Sequence, residues 1–303
     1  MSKRQITIVE VGPRDGLQSE PEILPTVSKV IFIEKAIDAG VRRLEVASFV
    51  HPKLVPQMAD AEALIEKLPQ RDDVSYIGLI MNERGLDRAL TTNIHEIGMV
   101  VVASDTYNRK NQGCSTSDSV SAWQEISAKA KSAGLRPNVM ISSAFGCPYE
   151  GEVKVERVIE LAKQLVDAGP AELGIADSIG VAVPDQVSEL LGRVKEVIGD
   201  VPLRCHFHNT RNTGLANAQA AVVAGATYLD ASIGGIGGCP FAPAATGNIP
   251  TDDLLYMLDR SGVETGVSLE KIIDVSRWLE EELGRSVPAL LPKAGGFPTG
   301  RAA

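Results

Sequence analysis

The sequence predicts a (βα)8 TIM barrel with its active site at the C-terminal face, and three observations carry that expectation. About eight short runs of β-branched and apolar residues recur along 303 residues, a length that α/β barrels reach as one domain. Most of these runs are followed by a helical stretch that closes on glycine. Polar residues gather where the runs end, the face on which such barrels carry their functional groups. Strand-helix alternation also fits a doubly wound sheet. The count of about eight favours the barrel.

The expected strands are "ITIVEVG", "RLEVASF", "SYIGLIM", "IGMVVVAS", "PNVMISSA", "LGIADSIG", "LRCHFHN" and "YLDASIGG", each bounded by turn residues. Thr26 to Ala39 illustrates the intervening helices. Thr26 is available as a cap, Val30, Ile33 and Ile37 share one face, and Gly40 can end the helix in a left-handed conformation. Similar endings recur at "SAG" (132–134), "DAG" (167–169) and "VAGA" (223–226). No break in composition interrupts the chain before the Pro/Gly-rich tail "VPALLPKAGGFPTG", so one domain over 1–303 is expected, with a helical and tail extension from about 268. Within that extension "VSLEKIIDVSRWLEEELGR" reads as a late amphipathic helix packing at a subunit contact, and a homodimer or higher homo-oligomer is expected.

Bulk composition narrows the function. A net charge of −9 argues against a general polyanion binder, so nucleic acid is not an expected partner, although a few local basic groups can still hold a phosphorylated ligand. No apolar run approaches membrane-spanning length, and Met1 leads directly into strand-like residues without a signal-peptide pattern. The expectation is a cytoplasmic protein that does not engage a membrane. Cys114, Cys147, Cys205 and Cys239 show no CxxC spacing, which suggests neither a disulfide scaffold nor a zinc ribbon.

At the predicted strand ends, Arg14 and Asp15 follow the first strand, with Gln18 just beyond. Glu45 and Ser48 belong to the second, Asp177 and Ser178 to the sixth, and His206 and His208 to the seventh. Residues two apart in a strand point the same way, so "HFH" projects both imidazoles to one side. That suits two metal ligands, and it equally suits two packed strand residues. The loop "GGIGGCPFAPAATGN" (234–248) has more glycine than a plain connection needs, which permits close approach to a ligand. Cys239 within it reads as an inert thiol when taken alone, and Asn248 as a cap for the helix near Pro250.

Together "VGPRDGLQ", "LEVASFVHPKLVPQMAD", "SSAFGCPYEG", "HFHNT" and "GGIGGCPFAPAATGN" resemble the 3-hydroxy-3-methylglutaryl-CoA lyases, a family of barrel metallolyases related to Claisen-condensing enzymes. The likeness runs from the first strand to "DDLLYML". It implies an acyl-CoA substrate and Mg2+ or Mn2+ as cofactor, with Asp15, His206, His208 and Asn248 as metal ligands and His206 also counted in the catalytic set. It further implies Arg14 as the catalytic arginine, Glu45 as its supporting carboxylate and Cys239 as a catalytic cysteine on a mobile loop. Gln18, Ser48 and Asp177 are the expected substrate-binding positions, joined by Arg109 and Lys110 of "NRKNQG" as candidates for the CoA phosphates. The family's usual reaction cleaves 3-hydroxy-3-methylglutaryl-CoA to acetyl-CoA and acetoacetate. Another 3-hydroxyacyl-CoA such as citramalyl-CoA, or binding of metal and acyl-CoA without turnover, stay open as alternatives.

Departures from the family pattern bear on the substrate. Asn209, Thr210, Arg211 and Asn212 stand where the family usually reads Asp-Thr-Tyr-Gly, and Ala244 replaces a loop glycine. Arg211 is read either as a solvated surface charge or as a partner for an additional carboxylate on a different acyl group.

Overall fold

Eight parallel strands close a barrel in the order in which the chain supplies them. In the computed structural model, which describes residues 4–239 and 242–298 but not the side chains of Cys239 and residues 242–246, they are β1 Thr7–Glu10, β2 Arg43–Ser48, β3 Ser75–Ile80, β4 Glu96–Val102, β5 Arg136–Ser142, β6 Leu173–Asp177, β7 Leu203–Phe207 and β8 Tyr228–Ala231. Six fall within the expected runs, and β4 and β5 each begin one residue before theirs, at Glu96 and Arg136. Closure is made by β8 on β1, where Leu229 pairs with Ile8 and Asp230 with Val9. The connecting helices are α1 Thr26–Asp38, α2 Ala61–Lys67, α3 Glu83–Ala89, α4 Asp105–Gln112, α5 Thr116–Ser132, α6 Val155–Val166, α7 Pro184–Ile198 and α8 Gly214–Ala224, followed by α9 Thr251–Arg260, α10 Leu269–Leu283 and α11 Leu291–Ala294. Gly40, Gly134, Gly169 and Gly225, the glycines expected to end helices, all take positive φ.

Thr26 does not cap α1. Pro25 holds that position, and the Thr26 hydroxyl instead donates to Asp60 at 2.6 Å, tying α1 to the start of α2. The late helix α10 forms over the expected amphipathic stretch. Its buried face, Ile272, Val275, Ser276 and Leu279, packs within this chain, and Trp278 lies 6.1 Å from the Phe32 ring of α1 with Lys35 above it. That apolar face is therefore covered by the protein's own helices.

Between strands and helices the core is apolar, with Ile8, Leu44, Val46, Phe32 and Trp123 fully or almost fully buried. The barrel interior differs. Its apolar part is the small cluster Val9, Val11 and Ile77, and much of the rest is ionic. Arg43 pairs with Glu96 at 2.6 Å and with Glu172 at 2.8 Å, and the second oxygen of Glu172 receives Arg204 at 3.2 Å. Branched aliphatic layers are the usual filling of such barrels. Here the inward positions of β2, β4, β7 and β8, with Glu172 just before β6, carry charge up toward the carboxyl ends of the strands.

Glu10, fully buried at the end of β1, points outward and anchors the upper loops. It accepts the amides of Gly12 at 2.8 Å and Ile233 at 2.9 Å, and the Thr251 hydroxyl at 2.6 Å. A Cβ on Gly12 would meet Glu10 Oε1 at 2.5 Å, so the turn requires glycine there. Burial pushes the Glu10 carboxyl up to about 8 from its ordinary 4.5, against the hydrogen bonds that favour the anion. The folded protein thus keeps a proton that the unfolded chain releases between those two values, and this contribution to stability falls as pH rises through that window. Glu10→Gln, a mimic of the protonated acid, is expected to flatten the fall and to be the more stable form above pH ~8, by on the order of 1–3 kcal/mol. Urea unfolding of both proteins at several pH values checks this, and identical pH slopes would refute it.

Candidate active site at the carboxyl ends of the strands

The segment after β1 winds into one wide π-type turn, Gly12–Gly16, in which both Asp15 and Gly16 donate to the Val11 carbonyl. Turns of this width are frequent at functional sites. Gly16 is needed because a Cβ there would meet the Ile236 side chain at 2.7 Å. The turn presents Arg14 and Asp15 side by side. Arg14 bonds Asp15 at 2.5 Å and pairs with Glu45 of β2, which is buried beneath it.

Across the barrel mouth, β7 projects His206 and His208 to one side, their rings 5.1 Å apart, while Phe207 packs into the core on the other. His206 Nδ1 meets Asp230 of β8 at 3.1 Å, which leaves Nε2 as its free ligand atom. His208 Nδ1 is buried without a partner. Burial, followed by the neighbouring His206, pushes the His208 imidazole down to about 3, so it stays neutral at ordinary pH. Burial alone would raise the Asp15 carboxyl, but Arg14, then His206, His208 and a hydrogen bond from Asn248, hold it well below the usual carboxylate range. One ligand atom from each of Asp15, His206 and His208 can be chosen so that all lie within 4.8 Å of one another.

Asn248 joins this group. It forms an antiparallel bridge with His208, its Nδ2 donates to the Ile236 carbonyl at 3.2 Å, and its Oδ1 is buried with no partner. It does not cap α9, whose preceding residue is Pro250 with no side-chain cap. The cluster opens onto a cavity of about 550 Å3 whose wall includes Gln18, Ser178, Tyr107 and Lys110. Gln18 Oε1 is a buried acceptor with no partner. Lys110 lies 5.0 Å above the Tyr149 ring.

Three expected substrate-binding positions point elsewhere. Asp177 turns its carboxylate onto the amides of Val181 at 3.0 Å and Ala182 at 2.9 Å, because the loop after β6 needs those acceptors, and Ser178 lines the cavity in its place. Ser48 is fully buried with its hydroxyl toward the Val50 amide and is absent from the wall. Arg109 turns outward to Asp105 at 2.7 Å, one helical turn earlier, so Lys110 alone of that pair lines the cavity. Arg211 donates to the carbonyls of Ile179 and Gly180 at 2.9 and 3.0 Å, clamping the loop after β6 rather than standing free in solvent. Asn209 accepts the Gly214 amide at 3.1 Å at the start of α8. The Cys239 thiol lies outside the described side chains.

Sequence reasoning missed Asp230, Arg204, Glu172 and Asn138, all of which line the cavity. Strand alternation carried the signal, since Arg204 and His206 on β7 and His208 just after it are spaced by two.

Comparison with known proteins gives this arrangement relatives. Residues 5–279 match the HMGL-like family. The chain is 43% identical over 300 residues to the (R)-citramalyl-CoA lyase of Chloroflexus aurantiacus, covering 96% of this chain and 95% of that protein. It is 40% identical over 286 residues to a hydroxymethylglutaryl-CoA lyase of Bacillus subtilis, covering 94% and 96%. The structure of an HMG-CoA lyase from Acinetobacter baumannii in complex with coenzyme A and 3-methylmalate superposes with a TM-score of 0.93 at 37% identity, over 99% of this chain and 98% of that one. Among the described residues no helix is long and apolar enough to cross a membrane. The eight-stranded barrel and these near full-length likenesses lead to one conclusion: the chain belongs to the HMGL-like family, and it is a carbon–carbon lyase.

Proposed function

We propose that the protein cleaves 3-hydroxy-3-methylglutaryl-CoA to acetyl-CoA and acetoacetate with a divalent metal, Mg2+ or Mn2+, held by Asp15, His206, His208 and Asn248. The observation that carries the reading is the pair of buried polar atoms without a hydrogen-bond partner, His208 Nδ1 and Asn248 Oδ1, beside the converging Asp15, His206 and His208. Such atoms are costly to bury unless something binds them. Charge supports the same conclusion. Asp15, Glu45, Glu96, Glu172 and Asp230 are joined to Arg14, Arg43 and Arg204, with only Arg136 reaching in from the surface, so the network carries excess negative charge for a cation to balance. Mixed carboxylate, amide and imidazole donors suit Mg2+ or Mn2+ better than a closed thiolate zinc site.

A divalent ion bound there supplies Lewis acidity that lowers the pKa of the substrate hydroxyl. The protein's own groups carry the rest. Arg14, held by Glu45 and Asp15, donates to the thioester carbonyl oxygen as the electrons of the broken carbon–carbon bond move onto it. The hydroxyl loses its proton, the former carbinol carbon becomes the ketone of acetoacetate, and the thioester enolate takes a proton to become acetyl-CoA. Cys239 is assigned to that proton transfer as the glycine loop covers the site. Lys110, at the cavity wall, is assigned to the CoA phosphates, and Gln18 to the acyl group. A second reading, cleavage of citramalyl-CoA to acetyl-CoA and pyruvate, is favoured by the 43% identity to the Chloroflexus protein.

The test is a product assay on metal-reconstituted protein with both thioesters. Acetyl-CoA with acetoacetate, abolished by EDTA and restored by Mn2+, is the expected result. Pyruvate from citramalyl-CoA with no acetoacetate from the other substrate would replace the first reading by the second. Cleavage that survives EDTA would remove the metal from either.

A further inference from the structure

Arg204 has no part in the reaction assigned above, yet its guanidinium bonds the carboxylates that hold Arg14 and His206. It is 4% exposed, sits two residues before His206 on the inward face of β7, and commits every nitrogen of its guanidinium. Nε bonds Asp230 Oδ1 at 2.5 Å, and Nη2 bonds Asp230 Oδ2 at 3.0 Å and Glu45 Oε2 at 3.1 Å. Nη1 reaches Glu172 at 3.2 Å, and Glu172 leads on to Arg43. The carboxylates it touches are the ones that orient the site. Glu45 gives its other oxygen to Arg14. Asp230 receives His206 Nδ1.

We infer that Arg204 is a positioning residue that couples the two halves of the site, setting Arg14 through Glu45 and His206 through Asp230. The reason is geometric. A carboxylate bridging two cations in a dry interior has one stable placement, and a guanidinium fork can fix two such carboxylates at once because its donors lie in one plane. Displacement of Arg204 therefore moves the arginine that faces the thioester oxygen and turns the imidazole that faces the metal. A lysine keeps the charge but offers a single nitrogen, which cannot span Asp230 and Glu45 in the same way. The inference rests on the roles proposed above for Arg14 and His206.

The experiment compares wild type, Arg204→Lys, Arg204→Met and His208→Ala for Mn2+ affinity by calorimetry, for kcat and KM on the cleaved thioester, and for melting temperature. Arg204→Lys is expected to fold and to lose about 10–100-fold in both Mn2+ affinity and kcat, the usual range for groups that orient metal ligands, with KM little changed because Lys110 is untouched. Arg204→Met leaves three carboxylates short of a cation and is expected to melt earlier; should it aggregate, the lysine variant carries the test. Two double-mutant cycles separate coupling from general loss of stability. Arg204→Lys with Glu45→Gln is expected to be non-additive in kcat, and Arg204→Lys with Asp230→Asn non-additive in Mn2+ affinity. A purely structural arginine would lower the melting temperature with additive cycles, and that outcome overturns the inference. So does an Arg204→Lys protein within about threefold of wild type in both affinity and kcat, well short of the expected loss. If wild type binds Mn2+ and His208→Ala does not, the ligand reading stands whatever Arg204 does. If wild type binds no Mn2+, both readings fall together.

Discussion

Arg14→Gln is expected to lower kcat by about 10²–10³, the usual consequence of removing one donor from a developing oxyanion, while Mn2+ affinity stays within a few-fold of wild type. The side chain is mostly enclosed between Asp15 and Glu45, so its direction is set before substrate arrives. Glutamine preserves much of the shape but loses the charge and the fork, and binding of the acyl-CoA through more distant groups should leave KM nearly unchanged. Metal binding should survive because Asp15, His206 and His208 are all retained and still converge, and a bound cation itself favours the ionised Asp15 carboxylate. Steady-state kinetics and a Mn2+ titration on the same preparation check both halves. Turnover within a few-fold of wild type would remove Arg14 from the chemistry.

His208→Ala is expected to act on the opposite term. Its Nδ1 is a buried nitrogen without a partner and its ring is held neutral, so among the cluster it is the group with least to do in the absence of a cation. Removing a direct ligand should cost at least as much as removing a group that merely orients one, so Mn2+ affinity should fall by about 100-fold or more, with cleavage following it. The fold should tolerate the change, because a neutral imidazole at the barrel mouth holds no ion pair together. Calorimetric Mn2+ titration and a melting curve separate the two effects. Unchanged affinity would strike His208 from the ligand set, and collapse of the fold would show that its burial is structural.

These two predictions probe the residues most legible in the sequence. Arg14 and Asp15 stand at the end of a recognisable strand, and "HFH" announces by its spacing two side chains on one face. Less was legible one step away from them. Asp177 also ends a strand and carries a carboxylate, yet the loop that follows turns back on it and its oxygens go to the Val181 and Ala182 amides. Arg109 and Lys110 are adjacent in sequence, but successive helical residues point about 100° apart, and one faces Asp105 while the other faces the cavity. Arg211, weighed as a solvated charge or a substrate partner, turned out to hold a loop through two carbonyls, a role that depends on where the β6 connection runs.

By itself the sequence determined the strand positions to within a residue, the helix endings and the carboxyl-end placement of Arg14, Asp15, His206 and His208, since period-two and period-3.6 patterns, capping glycines and turn chemistry are local properties of a chain. Only the tertiary structure decided which charges meet. Glu45, Arg204 and Asp230 come from β2, β7 and β8 and Glu172 from the residue before β6, separated by up to 185 residues between Glu45 and Asp230, and they became one network because the barrel closes β8 against β1 and turns alternate residues of the strands toward a shared axis. Inside that closed, water-poor space a charge without a counter-charge is costly, so the pairing follows from burial rather than from any spacing along the chain.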